Sequence, residues 1–477
     1  MRRKYRRGAV RVALLYPSAY PVAMSSAVFH VLYFRLWDVG FYVERFTADR
    51  GPRGVEEGTP LRHFDYIMAS VHYELDYIKV VKMLKDGGVE TRAALRGKPK
   101  VVLGGPPLTA NPEPLAELAD VIVLGELEAV WGKLVEYMAT GVEVGGPGLY
   151  YPAKGPTEVP IAYSDRLEVD HRRLPEPQAA FSLSVELARG CPYSCLYCME
   201  SYITKPYRQR DIWDVLSDLE RLYKRYHIRP SIVALTANAH GDFKKLLSEA
   251  AARGIPLSIP SLRAELLDGE TLELLHKLGQ RTLTIAPETG ERLRRALGKE
   301  MSDGDVLRVA KKAAGLGMRL KLYLMVGLPC EGEEDIRQVG ELVREVKKTG
   351  VELHLSVNPM VPKPQTPLQY HPMAELRELE RRIELARGMP HDVFSHYDPT
   401  LAAIQAAIAL GGREAFRHIE ASIDAPLAYW RGLLRRGELR YVFSPRREPL
   451  PWSHVRGFHP PERLWGIYQK FLERACS

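Results

Sequence analysis

The sequence predicts an α/β chain in two series: a flavodoxin-like, doubly wound domain over residues 8–140 and a partial (β/α)6 barrel over 181–390, followed by a small, mostly helical region over 391–477. Two observations carry this expectation. Short β-branched runs alternate with stretches of helical periodicity, and strand–helix alternation builds parallel sheets. A Gly- and Pro-rich stretch over 141–180 then separates one series from the next.

Strand candidates in the first series are Val10–Tyr16, Tyr42–Phe46, Tyr66–Val71, Val101–Gly104 and Val121–Leu124, each a short, largely apolar run. Helices fit between them, as at Glu74–Asp86 and Glu128–Ala139. Ligands of such a sheet bind beyond the carboxyl ends of its strands. The separating stretch carries Gly145-Gly146-Pro147-Gly148 and Pro175-Glu176-Pro177, both of which oppose regular structure. The second series repeats the alternation at a period of roughly 30 residues, the length of one β/α unit. Its strand candidates are Ser182–Leu187, Ser231–Leu235, Leu257–Pro260, Thr282–Ile285, Leu320–Val326 and Glu352–Asn358. Helices are expected at Ile212–Tyr226, Phe243–Gly254, Gly269–Gly279 and Ile336–Gly350. In barrels of this kind the chemistry gathers at the carboxyl ends of the strands.

Composition supports a core of ordinary size: 45% of the 477 residues are hydrophobic and 26% charged, which excludes a disordered or low-complexity chain. The formal net charge is +8, part of it in Arg2, Arg3, Lys4, Arg6 and Arg7. A solvated tail explains that cluster; a contact with RNA or anionic lipid is permitted by it and not demanded. No apolar run reaches the ~18–20 residues of a membrane span. The first apolar stretch, Val10 to Tyr16, is too short for a secretory signal, so a cytoplasmic protein without a transmembrane segment is expected. Three of the five cysteines lie within eight residues. That is no disulfide framework, and in a reducing compartment it points to metal.

The three lie in Glu186-Leu187-Ala188-Arg189-Gly190-Cys191-Pro192-Tyr193-Ser194-Cys195-Leu196-Tyr197-Cys198, directly after the first barrel strand. Thiolates are the ligands of iron–sulfur clusters, and a cubane ordinarily takes four. Three in one loop leave an iron open, which is the logic of a catalytic centre. Zinc is the structural alternative, and it needs a fourth ligand that the loop does not supply.

This Cys-x3-Cys-x-aromatic-Cys pattern, with Tyr197 as the aromatic, resembles the signature of the radical S-adenosylmethionine superfamily. The resemblance implies a 4Fe–4S cluster on Cys191, Cys195 and Cys198, with S-adenosylmethionine chelating the open iron. Reductive cleavage of the sulfonium then gives a 5′-deoxyadenosyl radical that removes a hydrogen atom from an unknown substrate, fed by an electron donor such as ferredoxin or flavodoxin. Further segments fit the same family. Thr282-Leu283-Thr284-Ile285-Ala286-Pro287-Glu288 ends the fourth strand, where relatives set a polar residue on the ribose hydroxyls; Glu288 is the matching position, and a helix N-terminal carboxylate is its bland reading. Leu324-Met325-Val326-Gly327-Leu328-Pro329 is similar to the turn bordering the adenine. The second strand departs from the Gly-Gly-Glu-like motif that grips the methionine amino group, and reads Leu235-Thr236-Ala237-Asn238, leaving Thr236 or Asn238 as acceptor. Arg263 is a candidate partner for the methionine carboxylate, or a surface salt bridge. Cys330 is a candidate hydrogen-atom donor, or a small turn residue; Cys476 reads as incidental.

In the first series, the loops Tyr16-Pro17-Ser18-Ala19-Tyr20-Pro21, Gly104-Gly105-Pro106-Pro107 and Leu124-Gly125-Glu126 follow strands. With Val361-Pro362-Lys363-Pro364-Gln365-Thr366-Pro367 and Leu450-Pro451-Trp452-Ser453-His454, this set resembles radical enzymes whose first domain is of the cobalamin-binding type. Gly104 and Gly105 would allow close approach of a bulky ligand. The usual Asp-x-His-x-x-Gly loop is absent, and His72 is the candidate to approach cobalt, its bland reading being an ordinary hydrogen-bonded histidine. The resemblance thus admits cobalamin as a third cofactor and methylation of an unactivated carbon as the leading reaction. Methylthio transfer to tRNA is an alternative, but such relatives carry further cysteines in the first domain, and this chain has none before Cys191. Lipid modification is another. A non-catalytic RNA-binding or electron-relay protein would draw on the basic run Arg292-Leu293-Arg294-Arg295, and would not cleave S-adenosylmethionine; a solvated helix face explains that run as well.

Overall fold

Val12, Ala13, Leu14 and Leu15 point alternately to opposite sides of a strand, yet all four are fully buried. A strand covered on both faces belongs in the middle of a sheet layered between helices. The computed structural model of the chain has that arrangement; it describes every residue except 1–6, 166, 168–172, 174–179, 181, 261 and 477. Arg2, Arg3, Lys4, Arg6, Pro175-Glu176-Pro177 and Ser261 therefore lie outside the described residues.

Strands β1 (Arg11–Tyr16), β2 (Tyr42–Thr47), β3 (Tyr66–Ser70), β4 (Lys100–Gly104), β5 (Val121–Val123) and β6 (Leu149–Tyr150) form one sheet ordered β2-β1-β3-β4-β5-β6. The first five are parallel, and β6 closes the edge antiparallel to β5. This is the flavodoxin-like order expected from the alternation. The helices Ala27–Asp38 and Leu127–Thr140 cover one face, where Phe29, Leu32, Leu36, Leu134 and Met138 pack with Val12, Leu14, Met68 and Val102. Each such side chain contributes about 1.5–3 kcal/mol on burial.

The chain divides into two compact units, one made of 1–183, 407–440 and 447–460, the other of 184–406, 441–446 and 461–477. The region expected as a separate C-terminal piece, 391–477, is thus shared between them, and the stretch expected as a linker adds β6 and β7 (Val159–Pro160) to the first unit. The cause is a buried polar knot. Glu113 accepts from the Tyr150 hydroxyl and from Arg413 Nε, both at 2.6 Å, and His454 Nε2 lies 3.3 Å from it. Asn111 donates its amide to the carbonyls of Ala409 and Gly411, each at 2.9 Å. Val455–Arg456 then pairs in parallel with β7.

The second unit holds β8 (Leu183–Glu186, all but its first residue), β9 (Ala188–Arg189), β10 (Arg208–Gln209), β11 (Pro230–Val233), β12 (Thr282–Glu288), β13 (Arg319–Val326), β14 (Leu353–Pro359) and β15 (Val393–His396). β11 pairs with β8, and β12 to β15 run parallel in sequence order. Two expectations change. The third strand, Leu257–Pro260, is reduced to a single bridge between Ser231 and Ser258, because Pro256 and Pro260 bracket it and neither has an N–H for a ladder. β15 is an addition; its four residues Val393, Phe394, Ser395 and His396 are too few and too polar to read as a core strand. On β12 and β13, Leu283, Ile285, Leu320, Leu322 and Leu324 are buried and alternate with partly open residues. The helix Asp303–Gly315 packs on both strands, started by a reciprocal cap between Ser302 and Asp305. The opposite face, with Thr284, Ala286 and Glu288, is therefore turned away from this helix. Among the described residues, no helix is long and apolar enough to cross a membrane.

Candidate active site

Cys191, Cys195 and Cys198 are free thiols in the loop that follows β9. The base of the loop is fixed by antiparallel pairing of β9 with β10. Gly190 has φ +78°, and a Cβ there would fall 2.6 Å from the Thr204 carbonyl oxygen and 2.8 Å from that of Pro206, so only glycine fits. Backbone bonds hold the rest: Leu196 donates to the Leu297 carbonyl at 3.0 Å, and Cys198 to that of Cys195 at 3.0 Å. Cys191 and Cys195 are buried and Cys198 is half-buried. Burial pushes the Cys198 thiol up to about 12. Metal-free protein therefore keeps this proton at neutral pH, and ligation must release it. Among the described residues, no three or more His, Cys, Asp or Glu side chains converge as a single metal ion requires. A cubane asks for something else, one thiolate on each of three irons, and a donor set of three thiols in one loop fits it better than zinc.

Two expected residues reach these thiols. Thr236 Oγ1 lies 3.6 Å from Cys191 Sγ, and Arg263 Nη1 lies 4.0 Å from Cys195 Sγ. Arg263 is only 6% exposed. Its Nε donates to Glu265 at 2.5 Å, its guanidinium lies 3.8 Å from the Tyr193 ring centroid, and its Nη2 has no partner. A surface salt bridge is thereby replaced by a buried one with a donor to spare. Leaving such a donor unpaired costs about 1–3 kcal/mol, which an incoming acceptor relieves. Asn238 does not serve as expected. Its amide donates to the Arg263 carbonyl at 2.8 Å and accepts from the Arg263 N–H at 3.0 Å, so it ties two strand ends together instead of gripping a ligand amine.

Glu288 closes β12 after a register shift between Ile285 and Glu288, and takes φ +65°. A non-glycine residue there is strained and persists only where its surroundings hold it. Here Tyr197 donates its hydroxyl to Glu288 Oε1 at 3.0 Å, and Lys299 Nζ donates to the same oxygen at 3.0 Å. Burial, and then the Glu288 carboxylate, hold the Tyr197 hydroxyl well above the ordinary phenol range. Arg294 is fully buried and donates to the carbonyls of Pro287, Thr289 and Met301 and to Asp303. The other two arginines of the basic run are paired within the chain: Arg292 with Asp335 and Arg295 with Glu291. Lys299, Glu265 and Tyr193 carry no sequence signal of their own, beyond the nearness of the last two in the chain to Arg263 and Cys191.

Gly327 has φ +78°, and a Cβ there would lie 2.5 Å from Leu379 Cδ2, so the packing of the helix Leu376–Arg387 already requires glycine. Cys330 is corrected: it is disulfide-bonded to Cys476, with Cα atoms 5.1 Å apart, and carries no thiol for hydrogen transfer. Cys476 is accordingly its partner, not an incidental residue. In the first unit, Gly105 has φ +124° and a Cβ there would fall 1.9 Å from the Val71 carbonyl oxygen, while one on Gly104 would make an ordinary 3.4 Å contact with Val123. The close approach that these glycines allow is to the chain itself. His72 is exposed after β3, with Nε2 3.2 Å from Ser70 Oγ.

Comparison with known proteins matches this geometry. Residues 47–146 fit the pattern described as radical SAM proteins, N-terminal, and residues 185–343 that of the radical SAM superfamily. The chain is 32% identical over 370 residues to the uncharacterised protein MJ0966 of Methanocaldococcus jannaschii, covering 74% of this chain and 78% of that one. It is 25% identical over 299 residues to the ribosomal protein uS12 methylthiotransferase RimO of Desulfotalea psychrophila, covering 56% of this chain and 65% of that one. Its fold is similar to that of the radical S-adenosylmethionine methyltransferase TsrM from Kitasatospora setae, solved with cobalamin and a 4Fe–4S cluster bound, at TM-score 0.55 and 18% identity over 73% of this chain and 72% of that one. With three thiols in one loop at the head of the barrel and both sequence patterns in order, the chain belongs to the radical S-adenosylmethionine superfamily and is an enzyme of that class.

Proposed function

We propose that Cys191, Cys195 and Cys198 hold a 4Fe–4S cluster with one iron open, that S-adenosylmethionine binds beside it, and that the enzyme abstracts a hydrogen atom from an unactivated carbon and methylates it with the help of cobalamin. The observation that carries the reading is Arg263, buried at 6% exposure, with Nη1 4.0 Å from Cys195 Sγ and Nη2 unpaired. A carboxylate such as that of the methionine moiety would take the spare donor and remove the cost of leaving it buried. When bound, the cluster supplies an electron and S-adenosylmethionine the hydrogen-abstracting fragment. The chain's own part is to bind, orient and seal. Arg263 and Thr236 border the thiols, and Glu288 presents a carboxylate held by two donors for the sugar hydroxyls. An external one-electron donor, such as ferredoxin or flavodoxin, completes the cycle.

The cobalamin part is supported by the doubly wound first unit and by the likeness to TsrM. Gly105 packs on the Val71 carbonyl and His72 Nε2 lies 3.2 Å from Ser70 Oγ, and no step is assigned to that group. The test is to purify the chain anaerobically, reconstitute its cluster, add hydroxocobalamin, and measure cobalamin retained after gel filtration. The same sample is then reduced with S-adenosylmethionine and assayed for methionine. Near-stoichiometric retention supports methylation; no retention sinks that branch and leaves a plain hydrogen-abstracting enzyme. A reconstituted cluster that never cleaves S-adenosylmethionine would overturn the radical-enzyme reading of this chain.

A further inference from the structure

We infer that Lys299 is a positioning residue, which orients Glu288 for the ligand hydroxyls and ties that carboxylate to the cysteine loop. The inference rests on the function proposed above and deepens it. Lys299 is 7% exposed, and an ammonium withdrawn that far from water needs an opposite charge in contact. Its partner is Glu288 Oε1, at 3.0 Å. Tyr197 donates to the same oxygen at 3.0 Å. Two donors on one oxygen fix the plane of the carboxylate. Among the described residues no donor reaches Oε2, the oxygen left for a ligand.

The backbone on either side of Lys299 explains the tie. Leu297 accepts from the Leu196 N–H at 3.0 Å, and the Gly298 carbonyl faces Cys195 Sγ at 3.8 Å. Gly298 has φ +81°, and a Cβ there would come within 3.4 Å of the Ser194 carbonyl oxygen. Residues 297 and 298 thus lie against the loop of Cys191, Cys195 and Cys198 by main chain, while residue 299 holds Glu288 by side chain. Tyr197 makes the reverse connection, from inside the loop to the same oxygen. Arg294 completes the frame by binding the carbonyls of Pro287 and Thr289, the two neighbours of Glu288, at 2.7 and 2.8 Å. A positive-φ carboxylate is held in this way from its backbone and from its head. A lysine needed only to neutralise buried charge would not require a shared oxygen with the motif tyrosine.

The experiment uses the full chain with its cluster reconstituted and left oxidised, so that S-adenosylmethionine binds without turnover. Affinity is measured by equilibrium dialysis for the wild type, Lys299→Met, Lys299→Arg, Tyr197→Phe, Glu288→Gln and the double variant Lys299→Met/Glu288→Gln. Iron content and thermal midpoint are recorded for each. Lys299→Met is expected to lose roughly ten- to a hundredfold in affinity with its iron retained, the worth of a charge-assisted hydrogen bond, and Lys299→Arg to recover most of it. Because Lys299 acts through Glu288, the double variant should bind no worse than Glu288→Gln alone. Additive losses, or a Lys299→Met variant that binds like the wild type, overturn the inference. Should Lys299→Met fail to fold, Tyr197→Phe carries the test, since it deletes one hydroxyl. Weakened binding there supports the shared-oxygen geometry and unchanged binding overturns it. A wild type that takes up iron but no S-adenosylmethionine overturns the proposed function itself, an outcome distinct from any difference between variants.

Discussion

The amide of Asn238 closes a ring on the backbone of Arg263, donating to its carbonyl at 2.8 Å and accepting from its N–H at 3.0 Å. This pair of bonds does the work of a missing strand. Where a third ladder is expected at Leu257–Pro260, only the bridge from Ser258 to Ser231 forms, and Asn238 supplies the next two bonds from a side chain. Asn238→Ala would leave the Arg263 N–H buried without a partner and its carbonyl with the Leu266 N–H alone, at a cost of ~1–3 kcal/mol. Denaturant unfolding should show that loss, and binding of S-adenosylmethionine should weaken because Arg263 is no longer held. Asn238→Asp keeps the acceptor but sets a buried carboxylate oxygen against the Arg263 carbonyl, so it should not restore the wild-type stability.

The glycine before the first cluster cysteine gives a second prediction. Gly190→Ala places a methyl 2.6 Å from one carbonyl oxygen and 2.8 Å from another, at φ +78°. The left-handed conformation alone costs an alanine ~1–2 kcal/mol, and the oxygens cannot move without dragging Thr204 and Pro206. Reconstituted Gly190→Ala should therefore hold much less iron per chain than the wild type. Wild-type iron content in this variant would mean that the loop takes another path once loaded.

What could be read from sequence follows the range of the interaction. The three cysteines declare themselves by spacing within one loop, and the strand alternation declares both sheets, since each is a local pattern. Thr236 and Arg263 follow from the rule that chemistry sits at strand ends. Asn238 reads in the sequence as an alternative ligand acceptor to Thr236, and its bonds to the backbone of a residue 25 positions away are encoded by no local pattern. Leu257–Pro260 is apolar enough for a strand, and only its two flanking prolines warn otherwise. Glu113, Tyr150, Arg413 and His454 lie far apart in the chain and meet in one knot, so the division of the C-terminal region between the units had no sequence signature.

Cys330 and Cys476 are 146 residues apart and disulfide-bonded. Unfolded, iron-free protein kept oxidised should titrate three thiols, against five after reduction. Cys330→Ser and Cys476→Ser should behave alike, each losing ~2–4 kcal/mol of stability relative to the oxidised wild type while keeping iron and cleavage of S-adenosylmethionine. A loss of turnover in Cys330→Ser alone would restore the hydrogen-donor role that the pairing removes.

His371 makes stability depend on pH. Its Nδ1 lies 2.9 Å from the Tyr468 hydroxyl on the helix Pro461–Ala475, and its carbonyl accepts from Arg446. Burial, and then the Arg446 charge, lower its pKa from 6.5 to about 4. Below 6.5 the unfolded chain binds a proton at this position that the folded chain refuses, so unfolding takes up a proton and acid favours it. The contribution is full above the unfolded pKa and is lost as pH falls toward the folded one, up to ~3 kcal/mol. Denaturant midpoints measured through this window should fall for the wild type and fall less for His371→Gln, whose amide can keep the bond to Tyr468 without titrating. Equal slopes in the two proteins through this window would take the acid sensitivity away from His371; the share of Asp268, whose own pKa is lowered to about 2 by its bonds to Thr271 and then Lys244, is lost only at still lower pH.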